Sequence, residues 1–169
     1  LKVTGLNLSE VENERNRQFN RDLGLDDKID VYDGNFEELP FEHDSFDIVF
    51  SQDSFLHSGN REKIIEEVAR VLKPGGLFIF TDPMQSDDAD PAQLQPVYDR
   101  LQLNSLGSFR FYREAAEALG FETVEQEDMT YNLRSHYARV REDMLGNYDR
   151  LIESGASSEY LDKMAVGLE

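Results

Sequence analysis

The sequence predicts an α/β fold with a largely parallel sheet, and three features lead to that prediction. Short apolar runs typical of buried strands occur at residues 1–8, 29–33, 46–50 and 77–81. A helical pattern separates the first two runs, and another separates the last two. Because the order β-α-β-β-α-β joins strands through helices, the strands are expected to run parallel. No internal repeat interrupts this order.

Capping and stop signals predict where the first two helices begin and end. Ser9 and Glu12 have the spacing of a capping box, which opens a helix that Gly24 ends. Asn60 can cap the second helix, which Pro74-Gly75-Gly76 ends. The apolar face of the second helix carries Ile64, Ile65, Val68, Ala69, Val71 and Leu72.

The later part of the chain becomes mainly helical and charged. The predicted elements there are helices at about 92–103, 112–119 and 133–153, a fifth strand at 121–127, and a last helix opened by Ser157 or Ser158. We therefore expect residues 1–84 and 107–130 to form the α/β core. Residues 85–106 and 131–169 are expected to form a helical cap over a substrate.

The composition excludes several kinds of partner and site. The chain has 35 acidic and 17 basic residues, a net charge of −18, and no cysteine. Nucleic acids and membrane surfaces need clustered Lys and Arg, which are scattered here among carboxylates. No apolar run approaches the roughly 18 residues of a membrane span, and no leader pattern opens the chain. We expect a soluble, cytoplasmic protein without disulfides or a cysteine nucleophile. Its acidity is compatible with a cell interior of either high or ordinary salt concentration.

Ligand chemistry in an open α/β sheet is expected beyond the carboxyl ends of its strands. The residues in those places are 7–12, 34–36, 52–57 and 82–84, and they are polar for strand exits. Metal binding is not expected, because residues 87–90 lack the spacing of a calcium loop and no histidine pair has helix spacing.

Two motifs carry a family resemblance. The stretch "LPF…SFDIVF" at residues 39–50, followed by "RVLKPGG" at residues 70–76 and a buried strand, resembles class I S-adenosylmethionine-dependent methyltransferases. Residues 3–9, 51–57 and 81–84, with Gly107-Ser108 and Phe111-Tyr112-Arg113, are similar to the sarcosine/dimethylglycine N-methyltransferases that make glycine betaine. The resemblance implies a Rossmann-like core, with S-adenosylmethionine as cofactor, S-adenosylhomocysteine as product and a small amine as substrate. An assembly of identical chains is left open.

The resemblance also implies a set of cofactor-binding residues. Asn7 and Glu12 would bind the ribose, the Asn35 side chain and the Phe36 N–H would bind adenine, and Gln52 would lie by the methionine end. Three of these residues have a structural alternative: Glu12 completes the capping box, Asn35 is a turn residue, and Phe36 packs in the core.

Asp53 and His57 are the candidate catalytic residues, because they follow the strand beside which the transferred methyl is expected. An amine must lose a proton before it attacks the methyl, and histidine titrates in the right range to take that proton. Asp53 would stabilise the positive charge left on nitrogen. The alternative is that Asp53 caps a turn and His57 is a packing residue.

The substrate carboxylate needs a cation or a cluster of donors. Arg113 beside Tyr112, and Arg134 or His136 beside Tyr137, are candidates in the cap, and Met84 at the fourth strand exit is a further substrate contact. The alternative for each Arg is a surface ion pair.

The chain also departs from the family pattern. It has no glycine-rich loop after a first strand, and Gly75-Gly76 follows a helix instead. The resemblance implies that the missing first strand precedes Leu1 and that two more strands follow Glu169, so we expect a piece of a longer chain. Alternatives in function are a phosphoethanolamine or tocopherol methyltransferase, a lipid cyclopropane synthase, which would need a carboxylate at Leu56, and a non-catalytic fragment. A nicotinamide dehydrogenase lacks its fingerprint here.

Overall fold

The structure, a computed structural model, describes residues 1–168. Four strands lie in this part of the chain: β1 Val3–Asn7, β2 Ile29–Asp33, β3 Phe46–Gln52 and β4 Leu72–Thr81. The helices are α1 Glu10–Asp22, α2 Arg61–Val71, α3 Pro91–Leu101, α4 Phe109–Ala118, α5 Thr130–Gly146, α6 Tyr148–Glu153 and α7 Ser158–Gly167. Within residues 1–168, no helix combines the length and apolar character that crossing a membrane requires.

The chain divides into two compact units. The first consists of Leu1–Asp87 with Ser105–Phe121, and it contains the four strands with α1, α2 and α4. The second consists of Asp88–Asn104 and the described chain from Glu122 onward, and it contains α3 and α5 to α7. In the second unit, α7 packs against α5 and α3.

The strands form two parallel pairs. β1 pairs with β2, with Val3 opposite Ile29, and β3 pairs with β4, with Gln52 opposite Thr81. The parallel direction confirms the prediction from the crossover helices α1 and α2. In the described part of the chain, hydrogen bonds join only these consecutive strands, so there are two two-stranded sheets instead of one.

The core of the first unit lies between α2 and one face of the β3–β4 pair. The buried cluster contains Phe55, Ile64, Ile65, Val68, Leu72 and Tyr112. Phe78 and Phe80 stack at 4.8 Å between ring centroids and pack against this cluster. Alternation along the strands therefore sends Ile48, Phe50, Leu77 and Ile79 to the opposite face, where they are 47–64% exposed.

The predicted fifth strand at residues 121–127 is wrong. These residues form neither strand nor helix, and Val124 is 85% exposed. A strand needs a neighbour that completes its hydrogen-bond ladder, and no strand of the described chain pairs with this segment.

Three other boundaries differ from prediction for local reasons. α4 begins at Phe109 because the Ser108 hydroxyl accepts a hydrogen bond from the Phe111 N–H at 3.2 Å. β4 begins at Leu72, which pairs with Phe46, so the Pro-Gly-Gly segment lies inside a strand with an irregular register. The helix predicted over 133–153 is two helices, α5 and α6, separated at Asn147.

Candidate functional site

The four strand exits adjoin one another in the first unit. The Gly34 N–H donates to the Asn7 carbonyl at 3.1 Å, and the Asp53 N–H donates to the Thr81 carbonyl at 2.8 Å. Between the two pairs, the rings of Phe36 and Phe55 meet edge to face at 6.1 Å. The loops after all four strands are therefore linked by direct contacts, as ligand binding at this edge requires.

Asn7 and Glu12 line an open cleft of about 570 Å³ beside α1. The Ser9 hydroxyl accepts from the Glu12 N–H at 3.3 Å, which confirms Ser9 as the helix cap. The other half of the predicted capping box is wrong, because the Ser9 N–H donates to Asn7 Oδ1 at 3.2 Å. The Glu12 carboxylate instead accepts from Arg15 at 2.7 Å, and both side chains are exposed.

Asn13 is a structural residue of this site that sequence reasoning missed. It is 2% exposed, and its Nδ2 donates to the carbonyls of Asn7 and Tyr32 and to Asp33 Oδ1, at 2.9, 3.2 and 2.7 Å. The bonds from Asn13 and then from Arg17 hold the pKa of the Asp33 carboxyl below its usual value. Asn13 thereby ties the ends of β1 and β2 to α1. Its sequence position, in a polar helix segment, carries no signal for this role.

Asn35 and Phe36 follow β2 in a tight loop. Asn35 Oδ1 accepts from the Glu37 N–H at 2.9 Å, which is the arrangement of a turn residue. The Phe36 ring packs against the core cluster. Within residues 1–168, the Phe36 N–H has no hydrogen-bond acceptor. A backbone donor is therefore free at the position where the resemblance places adenine.

A short turn after β3 presents the candidate catalytic side chains. Phe55 and Leu56 are buried in a single 3₁₀ turn, whereas Gln52, Asp53 and His57 are exposed. Asp53 has a φ of +49°, a left-handed conformation that aspartate tolerates better than most residues. Its Oδ1 accepts from the Thr81 hydroxyl at 2.9 Å. The turn therefore places the polar residues outward by burying the two apolar residues between them.

The predicted substrate residues fall in both units. In the first unit, Met84 packs against the core, Arg113 is exposed, and the buried Tyr112 hydroxyl donates to Asp82 at 2.7 Å. In the second unit, His136 and Tyr137 lie on α5, with ring centroids 5.5 Å apart.

A cation contacts Tyr137 on α5, and Arg134 lies on the same helix. The Arg100 guanidinium lies 5.3 Å from the centre of the Tyr137 ring. Arg134, exposed on α5, is the remaining candidate there. Residues 1–168 contain no group of three or more His, Asp or Glu that could hold a metal ion.

One protein family is similar to the first part of the chain. Residues 1–80 match the family described as methyltransferase domain. This part of the chain is therefore similar to a methyltransferase domain. The matched residues include all of β1 to β3 and α2, with most of β4, and therefore the strand exits after β1, β2 and β3.

Curated relatives resemble nearly the whole chain. The sarcosine/dimethylglycine N-methyltransferases of Aphanothece halophytica and Halorhodospira halochloris are 56% and 48% identical to it over 98% and 99% of its length. The chain spans about 60% of the length of these relatives.

A solved structure gives the same result for the fold. A protein of Galdieria sulphuraria, assigned as a sarcosine dimethylglycine methyltransferase, superposes with a TM-score of 0.91 at 37% identity, over 99% of this chain and 62% of that one. The fold of this chain is thus similar to that of the solved structure.

Proposed function

We propose that the protein is an S-adenosylmethionine-dependent N-methyltransferase that acts on sarcosine or dimethylglycine to make glycine betaine. The observation that carries the proposal is the 56% identity, across 98% of the chain, to a protein named sarcosine/dimethylglycine N-methyltransferase. The adjoining strand exits support it, because cofactor and acceptor must meet at one edge of the sheet. The net charge of −18 agrees with work in a salt-stressed cytoplasm, where betaine is an osmoprotectant.

The residues at the first two strand exits fit an adenosyl group. Asn7 and Glu12 offer an amide and a carboxylate to the ribose hydroxyls in the cleft beside α1. The free N–H of Phe36 is a donor for a ring nitrogen of adenine, and Asn35 Oδ1 can accept from the exocyclic amine. When bound, the cofactor supplies an electrophilic methyl group on sulfonium.

The turn after β3 fits the chemistry of the amine. Gln52 lies at the methionine end of the cofactor site, and His57 takes the proton that the amine must lose before its lone pair attacks. The carboxylate of Asp53, held by the Thr81 hydroxyl at 2.9 Å, stabilises the positive charge on the product nitrogen. Alignment of the amine with the methyl supplies much of the remaining acceleration.

The helical segments provide the substrate contacts in this proposal. Arg113 can bind a carboxylate through two parallel hydrogen bonds, and the aromatic pair of His136 and Tyr137 suits a methylated ammonium group. In this proposal, Met84 contacts the substrate from the end of β4. The small amine is the partner, and neither nucleic acid nor a membrane takes part.

Calorimetric titration with S-adenosylhomocysteine tests the cofactor site of the 169-residue chain, at low and at high salt. We expect binding in the micromolar range, weakened about tenfold in Glu12→Gln because a charge-assisted hydrogen bond is lost. Glu10→Gln is the control, because Glu10 is exposed on the same helix outside the cleft. Absence of binding by the folded chain would contradict a complete cofactor site.

A panel of acceptors tests the substrate. Methyl transfer to glycine, sarcosine, dimethylglycine and phosphoethanolamine is followed by mass spectrometry of the products. We expect turnover of sarcosine and dimethylglycine. Preference for phosphoethanolamine would assign the protein to another class of small-molecule methyltransferase, and cofactor binding without any turnover would indicate a non-catalytic chain.

A further inference from the structure

The carboxylate of Asp82 binds the backbone of the turn that residues 53–57 form. Asp82 directly follows β4, and its Oδ1 accepts from the Leu56 N–H at 3.1 Å. Its Oδ2 accepts from the Tyr112 hydroxyl at 2.7 Å, and Tyr112 is only 4% exposed. Both oxygens are therefore engaged by groups from segments far apart in sequence.

Arg61 binds the backbone carbonyl of Leu56. Its Nη2 donates to the Leu56 carbonyl at 2.8 Å and to the Ser105 carbonyl at 2.7 Å, while Nη1 donates to the Ser105 hydroxyl at 3.0 Å. Arg61 is 9% exposed. The N–H and the C=O of Leu56 are thus each bound to a charged side chain, and such bonds are stronger than neutral ones.

Burial and charge in this network keep Tyr112 as the donor and Asp82 as the acceptor of their hydrogen bond. Burial, together with the nearby charge of Asp53, raises the pKa of Asp82 above its usual value, although the bonds from Tyr112 and Leu56 and the charge of Arg61 oppose this. Burial and the neighbouring Asp82 raise the pKa of the Tyr112 hydroxyl, so this group stays a donor. A buried carboxylate that lost these donors would be left unsatisfied, which is costly.

A second link ties the end of the turn to the loop after β2. The Ser58 hydroxyl donates to Glu37 Oε1 at 2.5 Å, and Ser58 is buried. The Asn60 N–H donates to the same hydroxyl oxygen at 2.8 Å. The turn is thus held at its middle by Asp82 and Arg61 and at its end by Glu37.

We infer that Asp82 is a positioning residue that sets the placement of Asp53 and His57 through its bond to the Leu56 N–H, with Tyr112 keeping the carboxylate in place. The inference rests on the proposed function, in which those two side chains serve the amine. Leu56 lies between them in sequence, so an arrangement that immobilises its backbone limits the movement of both.

Amide hydrogen exchange of Leu56, measured by NMR in the 169-residue chain, tests the bond itself. In Asp82→Ala we expect exchange to accelerate about tenfold to a hundredfold, because a hydrogen bond to a charged acceptor is removed. Asp82→Asn keeps an acceptor oxygen and should restore most of the protection. Tyr112→Phe leaves Asp82 in place but loosens it, and should accelerate exchange several-fold.

The His57 ring signals report whether the effect reaches the candidate base. They are expected to shift in Asp82→Ala and in Tyr112→Phe. Tyr148→Phe is the control, since the Tyr148 hydroxyl also donates to an aspartate, Asp162 at 2.9 Å, but in the exposed part of the second unit. That variant should leave both Leu56 exchange and the His57 signals unchanged.

Kinetics distinguish positioning from general stability. In folded Tyr112→Phe and Asp82→Ala, kcat should fall on the order of tenfold while the KM for the cofactor stays constant. Unchanged Leu56 exchange in Tyr112→Phe would overturn the inference, and this variant decides if Asp82→Ala does not fold. Faster exchange with unchanged kcat would overturn the inference too.

An unmodified chain without turnover would overturn the proposed function instead. The Leu56 exchange and the His57 signals would then still decide the inference.

Discussion

Arg70 and Glu67 explain, at the scale of single residues, why the two family motifs occur together. Arg70 belongs to "RVLKPGG", and it donates to the carbonyls of Leu39 and Phe41 in "LPF" at 2.9 and 2.6 Å. Glu67 accepts from Arg70 at 2.7 Å and from the Leu39 N–H at 2.8 Å. The loop before β3 is therefore bound to α2 by one nearly buried ion pair.

The Glu67 carboxylate should make stability depend on acid pH. The bond from Arg70 is the main cause that lowers its pKa from 4.5 to about 2, although burial opposes it. Since the pKa is lower in the fold than in the unfolded chain, the stabilisation is present above about pH 4.5 and is lost as the pH falls towards 2. It amounts to about 2 to 3 kcal/mol.

Urea unfolding of Glu67→Gln at pH 7 and at pH 3 measures this contribution. We expect the variant to lose about 2 kcal/mol at pH 7 and distinctly less at pH 3. Glu66→Gln is the control, because Glu66 is exposed on the same helix and pairs with the partly exposed Lys63. An equal loss at both pH values would show that the carboxylate charge is not the cause.

His57→Ala tests the candidate base. We expect kcat to fall by about a hundredfold near neutral pH, where the amine is protonated and a neutral imidazole can accept its proton. The affinity for S-adenosylhomocysteine should stay unchanged, because the side chain serves the acceptor. His43→Ala is the matched control, an exposed histidine in the loop before β3. A pH profile identical to that of the unmodified enzyme would remove His57 from the mechanism.

At the scale of elements, Gly76 allows β4 to pair with β3 directly after a helix. A Cβ atom at this position would lie 3.0 Å from the Asp47 carbonyl oxygen and 2.9 Å from the Lys73 carbonyl oxygen. These are backbone atoms that cannot rotate away. The glycine therefore reflects the close approach of two strands, and not the predicted role in ending α2, since that helix already ends at Val71.

Gly76→Ala should lower the free energy of unfolding by about 1 to 3 kcal/mol, because the clash must be relieved by moving the strands apart. Gly59→Ala serves as control, since no atom lies within 4 Å of its Cβ position. Urea unfolding of both variants measures the difference. A Gly76→Ala chain as stable as Gly59→Ala would mean that the strands adjust without cost.

At the scale of the whole molecule, the net charge of −18 sets how the protein responds to salt. Carboxylates outnumber cationic side chains by 35 to 17, so the compact state brings like charges together. The ion pairs at the surface, such as Lys163 with Glu159, are exposed and contribute little in comparison.

Added salt should therefore stabilise the protein. The screening length falls from about 10 Å at 0.1 M to about 3 Å at 1 M, which weakens the repulsion between carboxylates. We expect the melting temperature to rise by several degrees when sodium chloride is raised over this range. Sucrose at matched osmolality is the control, because it adds no screening. An equal rise in both would assign the effect to exclusion from the surface.

Local pattern was enough to place β1 to β4, α1 and α2, because hydrophobic period and helix caps are read within a few residues. The same pattern identified the polar strand exits, including Asn7, Asn35 and Asp53, and the family resemblance assigned them roles. The pattern did not predict the structural roles of Asn13 and Arg61, because nothing in the neighbouring sequence distinguishes these residues. Asp82 was recognisable only as one of several residues that follow a strand.

Tertiary structure decided the rest, for a physical reason. The bonds that hold the candidate catalytic turn join residues 26 and 30 positions apart, Leu56 with Asp82 and Asp82 with Tyr112. The separation of the sheet into two parallel pairs and the missing strand at 121–127 likewise depend on which distant segment offers hydrogen bonds. A sequence pattern shows which side chains a segment can bury. The segment with which it packs is determined only when the chain folds.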